Sequence, residues 1–144
     1  EQGVNRISVG VQTNRDELLV KIGRRHTAAE AEKAVNRAFK LGFRNISIDL
    51  MCELPGQTVD DFEKTLKYAV HLPVTHMSVY SLILEEGTRF SQMASRGILA
   101  RPSENDSWAM YQAMCRILPH YGFERYEISS FARTGFQSAH NRKY

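Results

Sequence analysis

Val4-Asn5-Arg6-Ile7-Ser8-Val9, Phe43-Arg44-Asn45-Ile46-Ser47-Ile48 and Val74-Thr75-His76-Met77-Ser78-Val79 are three versions of one short strand pattern. Each is followed closely by polar groups: Gln12 after the first, Asp49 after the second, Tyr80 and Ser81 after the third. Stretches with helical spacing lie between them. Strands recurring every roughly 30 to 40 residues with helices between them are the signature of consecutive parallel βα units. Such units build part of a parallel barrel, whose chemistry gathers at the C-terminal ends of its strands. Gln12, Asp49 and Tyr80 are therefore the first places to look.

Working outward, residues 16–22 read as a short helix ended by Gly23, with Arg24, Arg25 and His26 in the loop beyond it. Thr27 and Glu30 form a capping-box pattern ahead of a helix with Ala31, Val35, Ala38, Phe39 and Leu41 on its apolar stripe. Leu54-Pro55-Gly56-Gln57-Thr58 is a turn, and Thr58 with Asp61 caps a helix carrying Phe62, Leu66, Ala69 and Val70. The third strand is expected to run to about Leu84. A weaker helix is expected over residues 89–99. Ser103 caps a longer one with Trp108, Met110, Tyr111, Met114, Ile117 and Leu118 at core positions, brought to an end by Pro119 and Gly122. A fourth short strand is expected over residues 126–129, and the stretch from Phe131 onward reads as loop.

The chain has 144 residues, 42% hydrophobic and 24% charged, which is ordinary material for one folded core. No segment has the apolar length of a transmembrane helix. A net charge of +3 with scattered basic residues argues against nucleic acid and is better suited to a small anionic ligand. Cys52 and Cys115 match neither a zinc site nor a close redox pair and read as reduced thiols of a cytoplasmic protein. The first residues run straight into a strand, and three or four βα units do not close a barrel, so an internal fragment with an open edge is expected.

A carboxylate at Asp49 serves either as a ligand group at the barrel mouth or as an acceptor for turn amides. The amide of Gln12 both donates and accepts, which suits a carboxylate or a ribose hydroxyl, or a backbone contact at a strand end. Arg24 can form a bidentate pair with a carboxylate or stand exposed in its loop. His26 and His140 are ligand candidates, with solvation as the ordinary alternative. Tyr80 reads as a packing residue.

Residues 3–12, Gly23-Arg24-Arg25-His26, Ile48-Asp49-Leu50 and 54–58, in this order, resemble the radical SAM proteins related to oxygen-independent coproporphyrinogen III oxidase. Tyr80-Ser81-Leu82, Glu86-Gly87-Thr88, the run from Tyr126 to Arg133, and His140-Asn141-Arg142-Lys143-Tyr144 resemble the heme-chaperone branch of that family. The resemblance implies an α/β fold: the second half of a partial (β/α)6 TIM-like barrel of parallel strands over residues 1–101. A helix, a short strand and a loop leading into the following region would occupy residues 102–144. It implies a [4Fe-4S] cluster held by cysteines upstream of this chain, with no metal ligand inside it, and S-adenosylmethionine cleaved on that cluster to a radical.

Carried over by position, Gln12, Arg24 and Asp49 would contact S-adenosylmethionine, and Ile83 would add an apolar or backbone contact. His140 would bind heme within an HNxxYW motif, of which this chain holds His140, Asn141 and Tyr144. Cys52 and Glu53 depart from the aromatic residue and glycine usual in the family, and Glu53 restricts a backbone that glycine leaves free. The implied function is a cytoplasmic heme chaperone that transfers heme to apo-hemoproteins, with a homodimer as a candidate assembly of the full-length protein. The alternative is the coproporphyrinogen III dehydrogenase of porphyrin biosynthesis.

Overall fold

A computed structural model describes residues 3–138; Glu1, Gln2 and residues 139–144, including His140, Asn141 and Tyr144, lie outside the described residues. The elements are β1 (Arg6–Gln12), α1 (Asp16–Lys21), α2 (Ala28–Lys40), β2 (Asn45–Cys52), α3 (Val59–Ala69), β3 (His76–Ser81), α4 (Arg89–Ser95), α5 (Glu104–His120), β4 (Glu124–Glu127) and β5 (Ser130–Ala132). They form one five-stranded sheet in the order β1-β2-β3-β5-β4.

The three repeated strand patterns are β1, β2 and β3, paired in parallel in sequence order. Beyond β3 the sheet changes character, because β5 runs antiparallel to β3 and β4 antiparallel to β5. The expected fourth strand is thus half of a hairpin, and the stretch read as loop from Phe131 contributes to the other half. β3 ends at Ser81 rather than near Leu84.

Alternation along the strands sorts their side chains into two faces. Ile46, Ile48 and Leu50 of β2, Met77 and Val79 of β3 and Phe131 of β5 join the core with Val35 of α2, Phe62 and Leu66 of α3, and Met110 and Leu118 of α5. Burying each large apolar side chain contributes about 1.5–3 kcal/mol. The other face carries Ser47 and Asp49, His76 and Ser78, and Ser130.

Helix ends follow the local chemistry. Thr58 and Asp61 make a reciprocal capping box on α3. Thr27 caps α2 by accepting from the Glu30 amide, while the return bond of the expected box is not among those formed. At the end of α1, Gly23 (φ 77°) donates to Val20 and Arg24 donates to Leu19, the paired bonds of a Schellman close. In α5, Pro119 sits inside the last turn and Gly122 alone makes the stop. The buried face of α5 is Met110, Ala113, Met114, Ile117 and Leu118. Trp108 and Tyr111 lie off that stripe and are 60% and 36% exposed, stacked on each other, so the core role expected for them is not what they do. Phe39 and Leu41 likewise stand exposed beside the stripe of α2.

Candidate functional site

The polar face of the sheet is organised in rows across the strands. Gly10, Asp49, Ser78 and Ser130 are register partners in one row, extended by Glu127 of β4. One step toward the strand starts, Ser8, Ser47, His76 and Ala132 form the next.

Gln12 ends β1 after a register shift between Gly10 and Gln12 and adopts φ 68°, a left-handed backbone that non-glycine residues avoid. Such strain persists only where the surroundings impose it. The surroundings here are the bonds of the exit loop to α3. Thr13 Oγ1 lies 3.3 Å from Thr65 Oγ1, Thr65 donates to Asn14 Oδ1 at 2.7 Å, and the Arg15 guanidinium pairs with the Asp61 carboxylate. Burial alone would raise the pKa of Asp61, but the Thr58 amide and hydroxyl together with Arg15 outweigh it and hold the group below the usual carboxylate range. Gln12 itself is 6% exposed, and its amide forms no hydrogen bond among the described residues.

Asp49 is half-buried. Burial raises its pKa, and the charges of Arg6 and Arg24 act in the opposite direction. No hydrogen bond or ion pair closes on its carboxylate, nor on the guanidinium of Arg24, among the described residues. An amide, a carboxylate and a guanidinium thus gather at the ends of β1 and β2 and the start of the loop after α1, each with unused bonding capacity. Arg6, one strand over from Asn45 and electrostatically close to Asp49, is a neighbour that the sequence analysis did not single out; the alternation Arg6, Ser8, Gly10 in β1 was the available signal. His26 turns toward the end of β1, its Nε2 3.4 Å from the Val11 carbonyl.

Ile83 and Tyr80 belong to a different hollow. A groove of about 330 Å³ runs between the exit of β3 and α5, lined by Cys52, Tyr80, Ile83, Met110, Tyr111 and Ile128 among others, and Gln12, Arg24 and Asp49 do not line it. Tyr80 is 49% exposed, so it does not serve as the packing residue expected. Burial, with Glu53 beside it, pushes the Cys52 thiol up to about 12, which leaves it protonated.

The two remaining motifs have structural accounts. In residues 54–58, Gln57 accepts from the Leu54 amide at 3.0 Å, Gly56 turns at φ 77°, and Thr58 starts α3. Just ahead of them, Glu53 takes φ 59°, so the backbone there does adopt the conformation that favours glycine. In residues 126–133, Glu127 accepts from the Ser129 amide and the Ser130 hydroxyl, which hold it below its ordinary pKa against the cost of burial. Phe131 is core, and Arg133 covers the Phe123 ring at 4.3 Å.

His76 is the buried centre of a network that sequence reasoning missed. Ser47 Oγ lies 2.8 Å from its Nδ1 and the Tyr126 hydroxyl 2.6 Å from its Nε2. Burial above all, with Arg6 adding to it, lowers its pKa to about 4 against a weaker opposing effect of Glu127. Among the described residues no group of three His, Cys, Asp or Glu forms a metal-binding cluster, and no helix is long and apolar enough to cross a membrane.

Residues 1–69 match the family model of the radical SAM superfamily. All 144 residues align at 44% identity with the heme chaperone HemW of Lactococcus lactis and with that of Bacillus subtilis, covering 38% of each. At 40% identity, 99% of the chain aligns with 32% of the mitochondrial radical S-adenosyl methionine domain-containing protein 1 of Danio rerio. The solved structure of the radical SAM enzyme coproporphyrinogen III oxidase of Escherichia coli superposes with a TM-score of 0.79 at 26% identity, over 92% of this chain and 30% of that one. The chain therefore spans about two fifths of the length of the heme chaperones it matches.

Proposed function

We propose that this chain, which belongs to the radical SAM superfamily, is part of a heme chaperone that binds heme and passes it to apo-hemoproteins. The observation that carries this reading is similarity to heme chaperones along all 144 residues. In this reading β1, β2 and β3 are strands of a partial (β/α)6 barrel made by residues 1–101, and residues 102–144 lead out of it, with the β4–β5 hairpin extending the same sheet. The full-length protein works in the cytoplasm.

Gln12, Arg24 and Asp49 hold S-adenosylmethionine. Their support is chemical: an acceptor-only carboxylate suits ribose hydroxyls or an ammonium group, a guanidinium suits the ligand's carboxylate, and an amide suits either. The unused bonding capacity of all three fits such a ligand. Ile83, which lines the separate groove beside α5, is the fourth contact of this reading, apolar or through its backbone. When bound, this cofactor supplies reductive cleavage chemistry together with an iron–sulfur cluster. The cysteines of this chain do not fit that cluster, because no third donor joins Cys52 or Cys115 among the described residues and Cys52 stays protonated. In this reading the cluster's ligands lie elsewhere in the full-length protein.

His140 is the heme ligand in this reading, an imidazole being a sound axial group for heme iron. The test is a heme titration of the full-length protein followed by its Soret absorbance, wild type against His140→Ala. Saturable binding lost in the variant supports the chaperone. Absence of specific binding in the wild type, with turnover of coproporphyrinogen, would move the function to the dehydrogenase, the reading favoured by the fold similarity to coproporphyrinogen III oxidase.

A further inference from the structure

We infer that His26 is a positioning residue for the S-adenosylmethionine pocket, holding the strained turn that carries Gln12; the inference rests on the pocket assignment above. The Thr13 amide donates to the Val11 carbonyl at 2.8 Å across Gln12, whose φ is 68°. A bond from one residue back to the second before it, around a positive φ, makes the rare and strained kind of γ-turn. Gln12 is its apex. The carbonyl that closes the turn has a second donor, because His26 Nε2 lies 3.4 Å from it. A carbonyl oxygen only accepts, so the contact assigns the ring proton to Nε2.

This bond is long, and its importance lies in where it acts. The ties to α3 through Thr13, Asn14 and Arg15 hold the residues after Gln12, whereas His26 holds the residue before it. The same contact reaches the other side of the pocket. At the start of the loop after α1 the Arg24 amide donates to the Leu19 carbonyl at 2.9 Å, and at its end the Ala28 amide donates to the Asp16 carboxylate at 2.8 Å. Both of these bonds tie the loop to α1. The bond from His26 joins it directly to the end of β1. Arg24 and Arg25 stand exposed while His26 is half-buried, so the loop turns its histidine inward and leaves its arginines out. Arg24 is two residues from this anchor, and Gln12 is the residue after the anchored carbonyl. One contact therefore constrains both the guanidinium and the amide that the pocket needs. Without it the turn is free to relax toward negative φ, which redirects the Gln12 side chain.

Three variants of the full-length protein with its cluster in place separate positioning from stability. His26→Leu removes the donor. His26→Gln keeps an N–H of similar reach. Ser103→Ala removes the cap of α5, a stability control on another element. Equilibrium affinity for S-adenosylmethionine and the melting temperature are measured for each. His26→Leu is expected to weaken binding roughly threefold to tenfold, the effect of one lost hydrogen bond, while His26→Gln stays within about twofold of wild type. Ser103→Ala is expected to melt lower and bind as wild type does. Wild-type affinity in His26→Leu would overturn the inference, as would equal losses in the two His26 variants or losses in all three that track melting temperature. If Asp49→Ala loses binding and His26→Leu does not, the pocket stands and the positioning role falls. If neither loses it, both fall.

Discussion

Gln12 folds its amide back across Gly10, with Nε2 3.0 Å from the point that a Cβ on Gly10 would occupy. The strand backbone at Gly10 is not left-handed, so what the glycine supplies is room for that close approach and not a special dihedral angle. The two residues form one device that aims an unpaired amide over the row containing Asp49.

Gly10→Ala is therefore expected to leave the fold intact, since the group displaced is the far end of a flexible side chain. It should weaken S-adenosylmethionine binding by roughly the worth of one hydrogen bond, severalfold in affinity. Equilibrium binding of S-adenosylmethionine to the cluster-loaded, full-length protein measures it, with the melting temperature as the control. Unchanged affinity would show that the amide of Gln12 does not contact the ligand.

Glu53 stands at φ 59° in the exit loop of β2, between the Cys52 carbonyl that accepts from Leu82 and the Leu54 amide that donates to Gln57. Glu53→Gly removes the left-handed strain and adds chain entropy to the unfolded state. Strain of 1–3 kcal/mol against an entropic cost of 0.5–1 kcal/mol leaves a gain of about 1 kcal/mol. Urea unfolding should show a higher midpoint with the same slope.

The buried His76 makes stability depend on pH. The unfolded chain takes up a proton on this residue near pH 6.5, the folded protein only near 4. The contribution is complete above about pH 6.5 and is lost as pH falls toward 4, roughly 3 kcal/mol in all. Arg6 reinforces the effect, Glu127 opposes it, and the depressed carboxyls of Asp61 and Glu127 lose their own contributions at lower pH still. Unfolding free energies at about pH 7 and pH 4.5 should differ clearly in wild type and much less in His76→Gln. Equal pH dependence in the two proteins would place the titration elsewhere.

Asp61 joins the capping box of α3 to Arg15 in the exit loop of β1. Asp61→Asn keeps the shape and weakens both bonds, with an expected loss of about 1–2 kcal/mol. Because that loop carries Gln12, S-adenosylmethionine affinity should fall with it. A stability loss with unchanged affinity would show that the loop is held by Thr13 and Asn14 alone.

The parallel half of the fold was legible because β1, β2 and β3 repeat one pattern, α2 and α3 carry side-chain caps at Thr27 and Thr58, and α1 and α2 stop at Gly23 and Gly42. The hairpin was not. β5 has three residues, Ser130 to Ala132, too few for alternation to register, and its pairing with β3 is a long-range choice that no local pattern encodes. Trp108 and Tyr111 misled because their spacing matches a helical stripe, while the true stripe one step away uses Ala113, which hydrophobicity alone does not mark. Asp49, Gln12 and Arg24 stood out as strand-end and loop groups. The left-handed backbone of Gln12, its fit to Gly10 and the burial of His76 depend on packing between elements and are visible only in three dimensions.

The most direct test of the heme-chaperone reading is transfer itself. Heme-loaded, full-length protein is mixed with an apo-hemoprotein, and the Soret spectrum of the acceptor is followed, with coproporphyrinogen turnover measured in parallel under reducing, oxygen-free conditions. For a heme chaperone, the acceptor's holo spectrum grows at the expense of the donor's, without decarboxylation of coproporphyrinogen. Decarboxylation without transfer would contradict that reading.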